Sequence, residues 1–251
     1  MRIIISPAKK MNEDLDTLEY MSMPIFMEEA ECIKDSLQKL GFEDLKKLWG
    51  CNEKIAIQNI ERVKTFDLQR NLTPAILSYE GIQYQYMAPA VFESSMLDYT
   101  QKHLRILSGF YGVLKPMDGI TPYRLEMQAK LAIKETKNLY EYWGRKIYDE
   151  VMDELSDESR IIINLASKEY SKCVEKYLGQ KDRWITCVFG EVVDGKVVQK
   201  GTFAKMARGE MVRYMAEQQI EEPEKIKAFD RLGYSFNEAF SNEKEYVFIK
   251  S

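Results

Sequence analysis

Histidine is almost missing from this chain: His103 is the only one in 251 residues. A single imidazole argues against a histidine-built metal centre and against a Ser-His-Asp triad. It also leaves no paired Glu-x-x-His motif of the kind that stores iron in helical bundles. Cysteine is nearly as scarce, with Cys32, Cys51, Cys173 and Cys187 forming no CxxC and no close pair. These four are expected as small buried apolar residues in a reducing compartment. No metal and no cofactor is expected. No apolar run approaches the roughly 18 residues that a membrane span needs, and Ile3-Ile4-Ile5 is too short for a signal-peptide core. A cytoplasmic location follows as an expectation. A basic excess is lacking too: 36 Lys and Arg face 40 Asp and Glu, for a net charge of −4. Any site for a polyanion must therefore be a local patch. Repeats, low-complexity tracts and Pro/Gly/Ser-rich linkers are absent, so one continuous domain over residues 1–251 is expected.

What is present reads as a mixture of short strands and helices. Arg2 to Ser6 suggests a buried strand stopped by Pro7. Residues 12–31 hold seven acids and no Lys or Arg, which suggests an exposed connection into a helix near 28–40, stopped by Gly41. Helical spacing continues over 43–49 and 53–64. Ala75 to Ser78 and Leu104 to Leu107 read as short strands, 139–155 as a helix, and Arg160 to Asn164 as a β-branched strand. Residues 184–191 and 196–203 predict a hairpin about Asp194-Gly195. Residues 203–219 predict a helix and Glu245 to Lys250 a final strand. The fold class expected is α+β (mixed α/β), with a central mixed sheet covered by helices.

Three polar clusters follow apolar strands: Ser6-Pro7-Ala8-Lys9, Ser108-Gly109-Phe110-Tyr111-Gly112, and Asn164-Leu165-Ala166-Ser167-Lys168-Glu169-Tyr170. Ligands gather beyond the carboxyl ends of strands in such sheets, so the three are expected to converge. The ordinary alternative is a set of turns and helix caps, with Ser167 capping the helix that follows. Residues 102–146 carry nine Lys and Arg against four Asp and Glu and include Lys115, Arg124 and Glu126. The last two share a face if extended, either as an internal ion pair or as an anion-binding arginine oriented by Glu126. Residues 200–213 form a second basic stretch. On a helix Lys205 and Arg208 share a face while Arg213 turns away, and the small Ala and Gly positions would let an anion come close. Finally, Leu45 to Ala56 follows a degenerate helix-hairpin-helix pattern. Gly50 falls in step, Trp49 stands where proline is usual, and Asn52 replaces the second glycine. Lys54 adds charge. The alternative is two helices joined by a tight turn.

Five blocks resemble the signature segments of the YaaA family, in order: Ser6-Pro-Ala-Lys9, Leu107-Ser-Gly-Phe-Tyr-Gly-Val-Leu114, Pro122-Tyr-Arg-Leu-Glu-Met127, Asn164-Leu-Ala-Ser167 and Ala204-Lys-Met-Ala-Arg-Gly209. The resemblance covers essentially the whole chain. It implies a cytosolic protein of the peroxide-stress response, linked to limiting free intracellular iron. It also implies an α/β fold with a positively charged cleft, a helix-hairpin-helix element over about 43–64, and binding of duplex or distorted DNA. On that view Ser6, Lys9, Gly50, Asn52, Lys54, Lys115, Arg124, Asn164, Ser167, Lys168, Tyr170, Lys205, Arg208 and Arg213 are the expected nucleic-acid or anion contacts, structure-selective rather than sequence-specific. A second possibility is an enzyme acting on a nucleobase, nucleotide or other small anion in a strand-end pocket. Lys9, Glu126, Glu169 and Lys205 would then be the catalytic candidates. A deep pocket with a carboxylate of raised pKa favours the enzyme; a broad groove favours DNA.

Overall fold

The computed structural model describes residues 1–156 and 160–251. In chain order the elements begin with β1 (Arg2–Ile5), β2 (Lys10–Met11), α1 (Met27–Gln38), α2 (Phe42–Trp49) and α3 (Glu53–Lys64). Next come β3 (Thr73–Pro74), α4 (Ala75–Ser78), β4 (Tyr79–Glu80), α5 (Ile82–Met87), α6 (Ser94–His103), β5 (Leu104–Ser108), β6 (Gly112–Leu114) and β7 (Gly119–Ile120). The second half holds α7 (Leu139–Trp143), α8 (Lys146–Met152), β8 (Ile161–Leu165), α9 (Lys168–Glu175), β9 (Arg183–Val193) and β10 (Lys196–Val198). It ends with α10 (Gly201–Glu217), β11 (Tyr234–Phe236) and β12 (Glu245–Lys250).

The central sheet runs β11-β12-β9-β8-β1-β5-β6, with β10 paired to β9. Strands β5, β1, β8, β9 and β12 are mutually parallel, and β6, β10 and β11 add antiparallel edges. Ile3, Ile4 and Ile5 of β1 are fully buried, as the apolar run requires of a strand covered on both faces. One continuous hydrophobic cluster spans both halves of the chain, so the fold is a single mixed α/β domain.

Several local expectations need correction. Ala75 to Ser78 is a helical turn, not a strand. Its amides Ala75 N–H and Ile76 N–H donate to Asp118 and Pro116 carbonyls, and three apolar residues followed by a buried serine are too short a run to carry a period that tells helix from strand. The helix expected over 139–155 is two, because Gly144 takes φ 49°, ψ −127° between α7 and α8. Gly41 does not stop α1, which ends at Gln38 with Lys39 as its C-cap; it is the extended residue before α2. In the β9–β10 hairpin Asp194 and Gly195 both have positive φ, 49° and 73°, as a two-residue primed turn demands. Its second strand is shorter than expected because residues 201–203 join α10.

The small residues of α10 also do something other than expected. Ala204, Ala207 and Gly209 are buried, and a Cβ placed on Gly209 would lie 2.0 Å from the Gln83 carbonyl oxygen. They let α10 lie backbone-to-backbone on α5 rather than admitting an anion. That contact sets where Lys205 and Arg208 project.

Candidate functional site: a strand-end pocket and its groove

Because β1 and β8 are adjacent and parallel, the residues after them emerge side by side. Ser6 Oγ accepts from the Ser167 amide at 2.8 Å and lies 3.2 Å from Ser167 Oγ. Ser167 occupies the N-cap position of α9, yet its hydroxyl makes no capping bond; it faces Ser6 instead. The first and third clusters therefore meet. The second reaches the same sheet edge but is buried beneath it. Ser108 Oγ accepts from the Phe110 and Tyr111 amides and contacts Tyr123 Oη at 2.7 Å. It supports the site through Tyr123 and does not line it.

Ser6, Ser167 and Tyr123 border a cavity of about 420 Å³. Lys9, Arg124, Glu126, Glu169, Tyr170, Lys205 and Arg208 line it as well. Its electrostatics rest on few close pairs. Lys9 Nζ holds Glu126 Oε1 at 2.8 Å, whereas Arg124 approaches the same oxygen only to 3.9 Å. The tight partner of Glu126 is thus Lys9, not Arg124. Among the described residues Arg208 forms no ion pair or hydrogen bond, and Nε of both Arg124 and Arg208 is buried without a partner. Burial pulls the Arg208 guanidinium below the ordinary arginine range. Two desolvated guanidinium groups with so little compensation favour an incoming anion.

Glu169 sits on the first turn of α9, where the helix dipole favours the anion. Burial nevertheless raises its pKa. The Gln128 amide, donating to Glu169 Oε1 at 3.2 Å, opposes the rise; the nearby Glu126 carboxylate adds to it. Tyr170 is almost fully buried and its hydroxyl is pushed well above its usual pKa by burial. The cavity therefore sets two arginines with unpartnered, buried Nε atoms beside a carboxyl that holds its proton more tightly than an exposed one does.

A second, more open cavity of about 860 Å³ continues from the first, sharing Lys9 and Glu126 with it. It runs along Gln128 to Ala132 to the end of α2, where Lys47, Trp49 and Gly50 border it. There α2 and α3 form a tight hairpin. Gly50 takes the left-handed conformation (φ 53°) that closes α2. Asn52 is extended rather than left-handed, and its side chain accepts from the Ile55 amide as an N-cap of α3. Trp49 is buried and anchors the hairpin to the core. Asn52 and Lys54 are exposed and border neither cavity.

Other expected contacts lie elsewhere. Lys115 is at the opposite end of the sheet, because β6 runs back antiparallel to β5. Its Nζ is 3.4 Å from Glu154, which also pairs with Arg2 and Arg105. Asn164 is buried, donating to Thr186 Oγ1 and accepting from the Ala166 amide; it shapes the strand end and does not reach the cavity. Arg213 is bound to Glu217 at 2.7 Å, and Lys168, the first residue of α9, is exposed outside the lining. The sequence reading missed Lys10, Glu80, Gln83 and Tyr84, which line the cavity from β2, β4 and α5. Tyr84 Oη donates to the Ser6 carbonyl. The only signal was Tyr79-Glu80-Gly81-Ile82-Gln83-Tyr84, a strand-to-helix junction punctuated by glycine.

The fold and site define a mixed α/β protein with a cation-rich pocket at the carboxyl ends of its parallel strands, opening on a groove beside a helical hairpin. The family described as peroxide stress protein YaaA matches residues 1–240. Its relatives include a UPF0246 protein of Agathobacter rectalis, 58% identical over 99% of this chain and 98% of its own length. Another, from Lachnoclostridium phytofermentans, is 54% identical over 100% of this chain and 96% of its own. One from Pediococcus pentosaceus is 50% identical over 100% and 98%. The chain belongs to the peroxide stress protein YaaA family, and its role falls within the peroxide-stress response. Among the described residues no helix is long and apolar enough to cross a membrane.

Proposed function

We propose that the protein binds DNA during peroxide stress, holding duplex or distorted DNA through the pocket and its groove and so limiting damage linked to intracellular iron. The observation that carries this reading is the pair Arg124 and Arg208, desolvated and almost without partners, in a cavity continuous with a groove beside a helical hairpin. Five cations against three carboxylates border the pocket although the whole chain is acidic. Phosphates suit such a site, because guanidinium groups bind them bidentately. With one histidine in the chain, the link to iron is assigned to an indirect route.

A second reading, favoured by the raised pKa of Glu169, is an enzyme acting on a nucleobase, nucleotide or other small anion. Glu169 would be the acid, with Lys9 and Lys205 as electrophilic clamps. The two readings are compatible if the substrate is part of a strand.

Fluorescence anisotropy with labelled duplex and mismatched-bubble DNA across a salt series tests the first reading. The logarithm of affinity is expected to fall with the logarithm of salt by about 0.9 per phosphate contacted. The Lys205→Ala/Arg208→Ala variant is expected to weaken binding and flatten that slope by up to about two such contacts. Lys54→Ala reports separately on the hairpin. Folded wild-type protein that binds neither DNA at low salt would end the DNA reading.

A further inference from the structure

The pocket and the groove differ in a way that bears on what each can accept. The groove is open and is bordered at one end by Lys47 and Gly50 and at the other by Lys9. The pocket is half its size, about 420 Å³, within the range of sites that enclose one small molecule. Both strands of a duplex cannot enter it. Two of its cations, Arg124 and Arg208, nonetheless keep a buried Nε without a partner, while Lys9 and Lys10 pair with Glu126 and Glu80. Arg124 and Arg208 are set back among buried neighbours, while Lys9, Lys10 and Lys205 are exposed. A phosphate approaching from outside therefore meets the exposed lysines before the arginines.

The rest of the lining is suited to a planar ring. Tyr84, Tyr123 and Tyr170 are each at least nine-tenths buried, and Leu125 and Ile82 add apolar surface. Two of their hydroxyls are already engaged, Tyr84 with the Ser6 carbonyl and Tyr123 with Tyr79 and Ser108. Polar atoms able to meet the edge of a base come from Ser6, Ser167 and Glu169.

We infer that the strand-end pocket receives one nucleotide unit, turned out of the strand that lies in the groove, with its phosphate on Arg124 and Arg208 and its base against Tyr84, Tyr123 and Tyr170. This rests on the proposed DNA binding for its source of nucleotide, but the chemistry recognised is that of a single nucleotide, free or in a strand. Turning a base out of the strand costs more when it is paired than when it is mismatched. Distorted DNA is therefore expected to bind more tightly than a perfect duplex because of the pocket, not the groove.

Two measurements on the full chain separate the possibilities. Deoxyadenosine monophosphate is titrated calorimetrically into wild type, Arg208→Ala and Arg208→Lys, each checked for folding by circular dichroism. In parallel, a duplex carrying a fluorescent adenine analogue at a mismatched position is titrated with protein. The expected results are saturable binding of the mononucleotide, weakened at least about tenfold in Arg208→Ala by loss of charged hydrogen bonds and partly restored in Arg208→Lys. The analogue is expected to change fluorescence on binding, in competition with the mononucleotide. Salt-dependent DNA binding without a fluorescence change, together with no mononucleotide binding at millimolar concentration, overturns the pocket assignment and leaves the groove reading standing. Mononucleotide binding with no DNA binding does the reverse: the pocket assignment holds, and the strand is not its source.

Discussion

Gly209→Ala sets two effects of opposite sign against each other within one helix. Alanine is the better helix former, and in the interior of α10 the exchange alone is worth up to about 1 kcal/mol of stability. The added methyl, however, falls 2.0 Å from the Gln83 carbonyl oxygen and 3.0 Å from the Met87 amide nitrogen. Both are backbone atoms of α5 or its C-terminal end, so no side chain can swing aside, and α10 must separate from α5. Overpacking of this kind costs up to about 3 kcal/mol. The strain wins, leaving a net loss of about 2 kcal/mol, or roughly 4–8 °C in Tm for a domain of this size. Gly201→Ala is the control, since nothing lies within 4 Å of its added methyl. It is expected to be neutral or slightly stabilising. Urea unfolding followed by circular dichroism reads both. Because Arg208 precedes Gly209 on the same helix, the variant is also expected to lose anion binding beyond its unfolded fraction. A Gly209→Ala protein as stable as wild type would refute the claim that helix contact, rather than ligand approach, requires this glycine.

Three further outcomes are expected. The Glu169 carboxyl is raised in the folded protein by burial, so the native state holds its proton more tightly than the unfolded chain. Its contribution to stability declines as pH climbs from the ordinary carboxylate range through the raised pKa. Glu169→Gln, which keeps the acceptor for Gln128, is expected to gain stability relative to wild type above that range and to match it more closely below; a pH series of urea midpoints checks the sign. Burial raises the thiols of Cys173 and Cys187, each to about 12, so mass spectrometry after brief treatment with hydrogen peroxide is expected to find oxidation at the half-buried Cys32 and Cys51 first. Early oxidation of Cys187 would contradict its enclosure. Asn52→Ala removes the side-chain cap on α3 and is expected to cost about 1 kcal/mol, with little change for Asn52→Asp or Asn52→Ser.

Much of the architecture was legible in the residues themselves. Ile3-Ile4-Ile5 and Ile161-Ile162-Ile163 are β-branched runs that a strand buried on both faces demands, and Asp194-Gly195 is a turn few other conformations accommodate. These signals are local, and the structure keeps them. Where the period was ambiguous, as at Ala75 to Ser78, or a single glycine broke a helix, as at Gly144, local signals ran out. Lys205 and Arg208 were rightly expected on one face, because three residues is close to one helical turn. The ordered motif blocks likewise pointed to the YaaA family.

Which charges gather was another matter. Residues 102–146 sum to a basic stretch, yet Lys115 pairs with Glu154, Lys102 with Glu221 and Lys146 with Glu29, all partners outside that stretch. Of that stretch's cations only Arg124 lines the pocket, which joins it to Ser6, Tyr84, Ser167 and Arg208 from four other elements and loops. Charge and hydrogen bonding act through space, over a few ångströms, while sequence records only neighbours along the chain. Strand and turn tendencies are written in those neighbours. The site depended on the parallel pairing of β1 with β8 and the close seating of α10 on α5, and only the folded chain decides those.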